Sequence, residues 1–189
     1  MKKFSSNTTL VSLILGVLMI LFGLQFFNYG YTATTIIGVF ALVFGVAYLL
    51  AAILVLLNVD NDSVKMVKGM IFIAGFPLFD FVYYLIYAIE GGFGGVSGWI
   101  LGILLLVASI GSAICGIVSF FVKSEVVAKV LRLLVLLFVC LLIVIIIFPL
   151  NGVPSTIGDI AIVEVAFIVC YFVLAKSVID QPQDKEEAK

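Results

Sequence analysis

The sequence contains no histidine and very little charge. Of its 189 residues, 11% are charged and 65% are hydrophobic, and the mean hydropathy is +1.38. Soluble domains carry about 25% charged and about 45–50% apolar residues, so this chain lacks the polar surface that a water-soluble fold of its length needs. Because histidine is the commonest metal ligand and the side chain that titrates nearest neutrality, its absence removes the usual metal site. We therefore expect lipid to be the solvent for most of the chain.

Cysteines are few and widely separated. Cys115, Cys140 and Cys170 stand singly within apolar runs, without CxxC spacing. We interpret them as small buried hydrophobic residues rather than as disulfide partners or metal ligands. The sequence predicts neither a cofactor nor a bound metal.

Six apolar stretches are long enough to cross a bilayer. About 20 residues at about 1.5 Å each match a hydrocarbon core of about 30 Å, and the stretches lack the alternation of barrel strands. The predicted spans are Leu10–Phe27, Thr34–Leu57, Val67–Ile89, Trp99–Val122, Val127–Leu150 and Thr156–Ala175. The predicted fold is an all-α membrane protein with a single six-helix transmembrane domain over residues 1–179 and a polar cytoplasmic tail over 180–189.

The basic residues predict the orientation of these spans. All ten lysines and arginines precede span one, lie around the junctions of spans two and three or four and five, or follow span six. Cytoplasmic loops carry such an excess of positive charge, so we expect both termini in the cytoplasm. Arg132 falls slightly inside span five, and we expect its side chain to extend to the cytoplasmic interface.

The spans show signs of an internal repeat. Spans one, three and five are centred about 60 residues apart, and Gly38 of span two matches Gly102 of span four in a local alignment. We interpret this pattern as three repeated helical hairpins, each entering and leaving from the cytoplasm.

Glycines recur on single faces of the first two spans. Gly16 and Gly23, like Gly38 and Gly45, are separated by nearly two helical turns and so share a face. In lipid, close backbone approach at small residues drives helix association. We interpret these faces as packing surfaces, with a glycine-lined solute path as the alternative. A similar face on span four is formed by Ala108, Ser112 and Gly116.

The paired glycines, the hairpin repeat and Phe148-Pro149-Leu150 at the outer end of span five form a pattern that resembles the HdeD-type family of small bacterial membrane proteins associated with acid resistance. The resemblance implies a multi-pass protein of the bacterial inner (plasma) membrane with a role in acid or envelope stress and no catalytic residues. The middle hairpin departs from the family pattern, since it contains Pro77, an acidic residue and a tyrosine cluster.

An ionisable residue, Asp80, lies near the middle of span three. A charge at that depth costs about 2.5–3.5 kcal/mol on insertion scales, so Asp80 should face the bundle interior and have a partner. Tyr83, Tyr84 and Tyr87 follow at helical spacing and share its stripe. Two interpretations stay open: a polar cavity that serves as a proton or ligand site, or a protonated Asp80 bonded to tyrosine hydroxyls or to the backbone.

Two further features bear on Asp80. Pro77 lacks a backbone donor and leaves the carbonyl of Ile73 without its helical partner, so we expect a kink in span three. Glu164 lies near the middle of span six. If spans three and six touch, Asp80 and Glu164 could share a proton and respond to acid without histidine.

The chain lacks the GxSxG, HExxH and GxGD motifs, which argues against an enzyme. The leading prediction is a small non-enzymatic membrane protein, related by its resemblance to acid or envelope stress, with Asp80 and Glu164 as protonatable groups. The alternative is a channel or transporter for a proton or small solute. The predicted partner is the lipid bilayer, with a homo-oligomer or another membrane protein possible and nucleic acid excluded.

Overall fold

The computed structural model describes residues 6–57, 59, 61–90, 95–147 and 161–180, and the backbone alone at residues 6, 97, 143–147 and 161–164. All regular structure in these ranges is helical, which confirms the predicted all-α class. The six described helices are α1 (Ser6–Phe27), α2 (Thr32–Leu56), α3 (Asp62–Ile89), α4 (Gly95–Val118), α5 (Glu125–Ile147) and α6 (Ala161–Ile179).

Four helices, α1 to α4, contain segments long and apolar enough to cross a membrane. The first turns of α5 carry Glu125, Lys129 and Arg132, and the described side chains of α6 form a shorter apolar helix, Val165–Ile179. The length and composition of these helices fit a membrane protein.

The start of α3 lies well before the predicted span at Val67. The side chain of Asn61 accepts a hydrogen bond from the backbone N–H of Ser63 at 2.9 Å, and Asp62 occupies the first turn. Both features stabilise a helix N-terminus. The apolar pattern therefore locates the apolar part of the helix, whereas capping residues before that part decide where the helix begins.

The ends of α4 and α6 differ from the predicted spans in opposite directions. α4 ends at Val118, before the predicted Val122, where the Ser119 hydroxyl donates to the carbonyl of Gly116 at 2.7 Å. α6 continues past the predicted Ala175 to Ile179, with Lys176 in its last turn. The predicted end of span five and the predicted start of span six lie outside the described residues.

α3 occupies the centre of the bundle. Helices that are neighbours in the sequence pack together throughout, and α1 closes the ring against α6. α3 also contacts α5 and α6, and Phe79 and Tyr83 pack their rings against Phe22 and Phe26 of α1. The helix that carries the proline and the acidic residue therefore touches each of the other five.

The predicted glycine faces of α1 and α2 meet each other. A Cβ on Gly16 would lie 2.9 Å from the carbonyl oxygen of Gly45, and one on Gly23 would lie 2.8 Å from that of Gly38. The two backbones are thus in direct contact at two levels of an antiparallel pair. This confirms the interpretation of these glycines as packing residues.

The outer faces of the bundle are apolar. On α1, every turn presents one large hydrophobic side chain outward: Leu10, Ile14, Val17, Leu21 and Leu24. Comparable outward-facing residues run along α2, α4 and α5. Soluble monomers rarely expose continuous apolar patches of more than a few hundred Å², so these faces fit a membrane protein.

The cysteine prediction is wrong for Cys140, which is exposed on the outer face of α5, while Cys115 and Cys170 are half-buried. An apolar run does not distinguish the core from the lipid-facing surface, because both surroundings suit a thiol.

Candidate functional site

The interruption of α3 at Pro77 is completed by a residue from α6. Pro77 has no backbone N–H to donate to the carbonyl of Ile73. The hydroxyl of Tyr171 donates to that carbonyl at 2.8 Å, and Tyr171 is 0% exposed. The sequence predicted the freed carbonyl but not the donor.

A second tyrosine, from α2, meets the same stretch of α3. Tyr48 is 0% exposed, and a Cβ on Gly75 would lie 2.8 Å from its hydroxyl oxygen. The hydroxyl lies beside the backbone of Phe76 but has no hydrogen-bond partner among the described residues. The backbone of Tyr48 is fixed from α1, because Ser12 Oγ donates to its carbonyl at 2.9 Å.

Asp80 lies within the same group of polar atoms. It is 7% exposed, its Oδ2 atom is enclosed by the protein, and it makes further interactions of its own. Tyr48 and Tyr171 both lie close enough to Asp80 to interact with it electrostatically. We call Tyr48, Asp80, Tyr171 and the Ile73 carbonyl the bend cluster.

The tyrosine stripe extends from the bend cluster along α3. Tyr83 and Tyr84 are buried, with their ring centroids 5.3 Å apart, while Tyr87 is half-buried. All three make interactions within the protein. The predicted stripe therefore faces inward at Asp80, Tyr83 and Tyr84 and approaches the edge of the bundle at Tyr87.

Aromatic rings fill the bundle around these polar atoms. Phe76 lies 6.0 Å from Phe167 and 5.1 Å from Tyr171 between ring centroids. Phe22 lies 5.4 Å from Phe167. Rings from α1, α3 and α6 thus pack against one another within about one helical turn of Asp80.

The predicted partner of Asp80, Glu164, lies on the backbone of α6, and its side chain is outside the described residues. Contacts of Ile73 with Tyr171 and of Phe76 with Phe167 show that α3 and α6 contact each other and run in opposite directions. Asp80 lies about one turn beyond Phe76, and Glu164 lies just under one turn before Phe167. The two backbone positions are therefore at a similar depth.

Arg132 does not extend to the surface as expected. It is 3% exposed, its Nε donates to Ser119 Oγ at 3.1 Å, and its Nη1 donates to the carbonyl of Val178 at 3.2 Å. Its guanidinium lies 4.8 Å from the centre of the Phe120 ring. The last carbonyls of a helix lack internal donors, so α6 offers this buried cation a partner that the sequence of α5 alone does not reveal.

Four helix ends meet around Arg132 and the Phe120 ring. Ser119 and Phe120 follow α4, Arg132 lies near the start of α5, and Val178 is near the end of α6. Gly69, near the start of α3, lies against the same Phe120 ring, which a Cβ there would approach to 2.6 Å. The ends of the helices that carry the basic residues therefore meet at one end of the bundle.

Comparison of the chain with protein-family models, with curated proteins and with solved structures finds no match in any of the three. The HdeD-type resemblance stays a sequence-based prediction.

Proposed function

We propose that the chain is a six-span integral membrane protein, built from three helical hairpins, with both termini in the cytoplasm. The apolar outer faces of α1, α2, α4 and α5 support membrane insertion. Pairwise contacts of α1 with α2, α3 with α4 and α5 with α6 support the hairpin arrangement.

The orientation follows from the basic residues. Lys68 lies near the start of α3, Lys123 lies between α4 and α5, and Lys176 lies near the end of α6. The contacts of Arg132 and Gly69 support a common location for these segments. Under the positive-inside rule this end faces the cytoplasm.

We further propose that the protein acts without catalysis, in acid or envelope stress, through the protonation of Asp80. The observation that carries this proposal is the burial of a carboxyl group in the helix that touches all the others. Placing a charge inside a bundle is costly, so the charge state of Asp80 affects how α3 packs. The resemblance to the HdeD-type family supplies the connection with acid stress.

Glu164 is the proposed second carboxyl group. Its backbone position is level with Asp80 on a helix that contacts α3. Two carboxyl groups at one depth can share a proton, and such a pair would respond to acid in a chain that has no histidine.

The alternative is a channel or transporter for a proton or small solute. The observation in its favour is the inward-facing stripe of Asp80, Tyr83 and Tyr84. The interlocked rings of Phe22, Phe76 and Phe167 oppose it in the described conformation. A proton-flux assay in liposomes separates the two, since only a conducting protein collapses an imposed pH gradient.

The test of the leading proposal is survival of cells at acid pH. Cells that carry Asp80→Asn with Glu164→Gln should lose the protection that the unmodified protein gives, at equal protein abundance. Asp62→Asn is the matched control, because Asp62 is exposed at a helix end and should keep full protection. Normal survival of the double variant would remove both carboxyl groups from the mechanism.

A further inference from the structure

We infer that Tyr48 is the hydrogen-bond donor that stabilises the ionised form of Asp80, so that the Tyr48 hydroxyl gains the Asp80 carboxylate as its acceptor when Asp80 loses its proton. This inference rests on the proposed role of Asp80 protonation. It adds a positioning residue on a different helix, which the tyrosine stripe of α3 did not indicate.

Tyr48 places a buried hydroxyl group beside the proline-interrupted part of α3. A buried hydroxyl without a hydrogen bond costs roughly 1–3 kcal/mol. Tyr48 is 0% exposed, and its hydroxyl has no partner among the described residues, although the group is a donor as well as an acceptor. The protein therefore holds a spare donor beside an enclosed carboxyl group.

A cation beside Asp80 would also stabilise its ionised form. The sequence places no titratable residue on α1 and only Tyr48 on α2. The titratable and charged residues of the other packed helices are Cys115 on α4; Glu125, Lys129, Arg132 and Cys140 on α5; and Glu164, Cys170, Tyr171 and Lys176 on α6. The basic residues among them belong to the end of the bundle where Arg132 is bonded. On α3 itself, Lys68 precedes Asp80 by more than three helical turns, about 18 Å. Hydrogen-bond donors, rather than a cation, are therefore the groups positioned to stabilise an ionised Asp80.

The two tyrosines of the bend cluster differ in whether the hydroxyl proton is already donated. The Tyr171 hydroxyl already donates to the Ile73 carbonyl at 2.8 Å, and a hydroxyl has one proton to donate. Tyr48 has no such commitment. Among the described tyrosines of the bend cluster, Tyr48 is thus the one whose donor is available.

α3 can bend between its contact with Tyr48 and Asp80. Pro77 removes a backbone hydrogen bond between the half of α3 that contacts Tyr48, at Gly75, and the half that carries Asp80. A helix bends most readily where such a bond is missing. A small change of angle at this point alters the separation of the carboxyl group and the hydroxyl without breaking the Tyr171 contact.

The experiment is difference infrared spectroscopy of the full-length protein in liposomes, titrated with pH. Asp80→Asn identifies the C=O band of the protonated Asp80 by its loss. Tyr48→Phe should raise the midpoint pH of that band by about one to two units, because a hydrogen bond to a charged group is lost. Tyr171→Phe is the matched control, because it also removes one tyrosine hydroxyl oxygen, but one whose proton is donated to the Ile73 carbonyl. This variant should shift the midpoint by much less.

Equal shifts in the two phenylalanine variants, or an unchanged midpoint in Tyr48→Phe, would overturn the inference. If Tyr48→Phe does not fold, unmodified protein with isotope-labelled tyrosine decides the matter. A tyrosine C–O band must then change with the same midpoint as the Asp80 band, and its constancy would count against Tyr48. If the midpoint does not shift in Tyr48→Phe while acid survival still depends on Asp80, this inference alone is refuted. Normal survival of cells that carry Asp80→Asn with Glu164→Gln refutes the proposed function.

Discussion

Tyr48 and Tyr171 contact the same stretch of α3, yet their hydroxyl groups are in opposite situations. Tyr171 supplies the donor that Pro77 cannot, whereas Tyr48 presses an unbonded hydroxyl against Gly75. The Tyr171 hydroxyl maintains the structure of α3, and the Tyr48 hydroxyl is available to donate to another acceptor. The two side chains are of the same type and are equally buried. They differ in one hydrogen bond, which Tyr171 makes to the Ile73 carbonyl and Tyr48 does not.

This contrast predicts opposite effects on stability. At a pH below the Asp80 midpoint, Tyr171→Phe should lower the free energy of unfolding by about 1–3 kcal/mol, because the Ile73 carbonyl is left buried without a donor. Tyr48→Phe should be close to neutral or slightly stabilising under the same conditions, since it removes a buried polar group that has no partner. Denaturant unfolding in one detergent measures both, and equal costs would contradict the assignment of the two hydroxyls.

The sequence predicted part of this site at the residue scale. Pro77 implied that the Ile73 carbonyl needs a donor, and Asp80 implied burial in the interior. Tyr48 and Tyr171 were missed because both lie in apolar runs, where a tyrosine is not distinguished from other large hydrophobic side chains. A signal was present, since a buried tyrosine hydroxyl generally requires a partner, but the sequence does not reveal which helix faces which.

At the scale of helices, the α1–α2 pair depends on direct backbone contact. The carbonyl oxygens of Gly38 and Gly45 occupy the space where side chains on Gly23 and Gly16 would otherwise lie. The seven-residue spacing of these glycines was sufficient to predict the packing faces. The central position of α3 was harder to predict, because polar residues within a span indicate interior placement but not contact with every neighbour.

The glycine contact gives a prediction with an internal control. Gly38→Ala should destabilise the protein by roughly 1–3 kcal/mol, since its Cβ would lie 2.9 Å from the backbone oxygen of Gly23. Gly111→Ala adds the same methyl group to α4 where nothing lies within 4 Å, and it should be neutral or stabilising by up to about 1 kcal/mol. Thermal unfolding in detergent compares them, and a Gly38→Ala protein as stable as Gly111→Ala would show that the helices do not require this approach.

At the scale of the whole molecule, the bundle has an apolar exterior and a largely apolar core that encloses a few polar groups. Asp80 and the buried tyrosines lie inside, large hydrophobic residues cover the outside, and the ends that carry basic residues meet around Arg132. Composition predicted the apolar exterior, and the distribution of lysine and arginine predicted which segments share an end. The bonds of Arg132 were not predictable, because they join residues from three separate helix ends.

We propose that lipid surrounds this bundle, with the basic ends on the cytoplasmic side. Single cysteines introduced by Tyr29→Cys, Asp62→Cys, Glu90→Cys or Lys123→Cys, in a variant without Cys115, Cys140 and Cys170, report the side of each segment to a membrane-impermeant thiol reagent. In intact cells the cysteines at positions 29 and 90 should be labelled, and those at 62 and 123 only after permeabilisation. Labelling of position 62 or 123 from outside, or protection of 29 and 90, would contradict the six-span orientation and with it the depth assigned to Asp80.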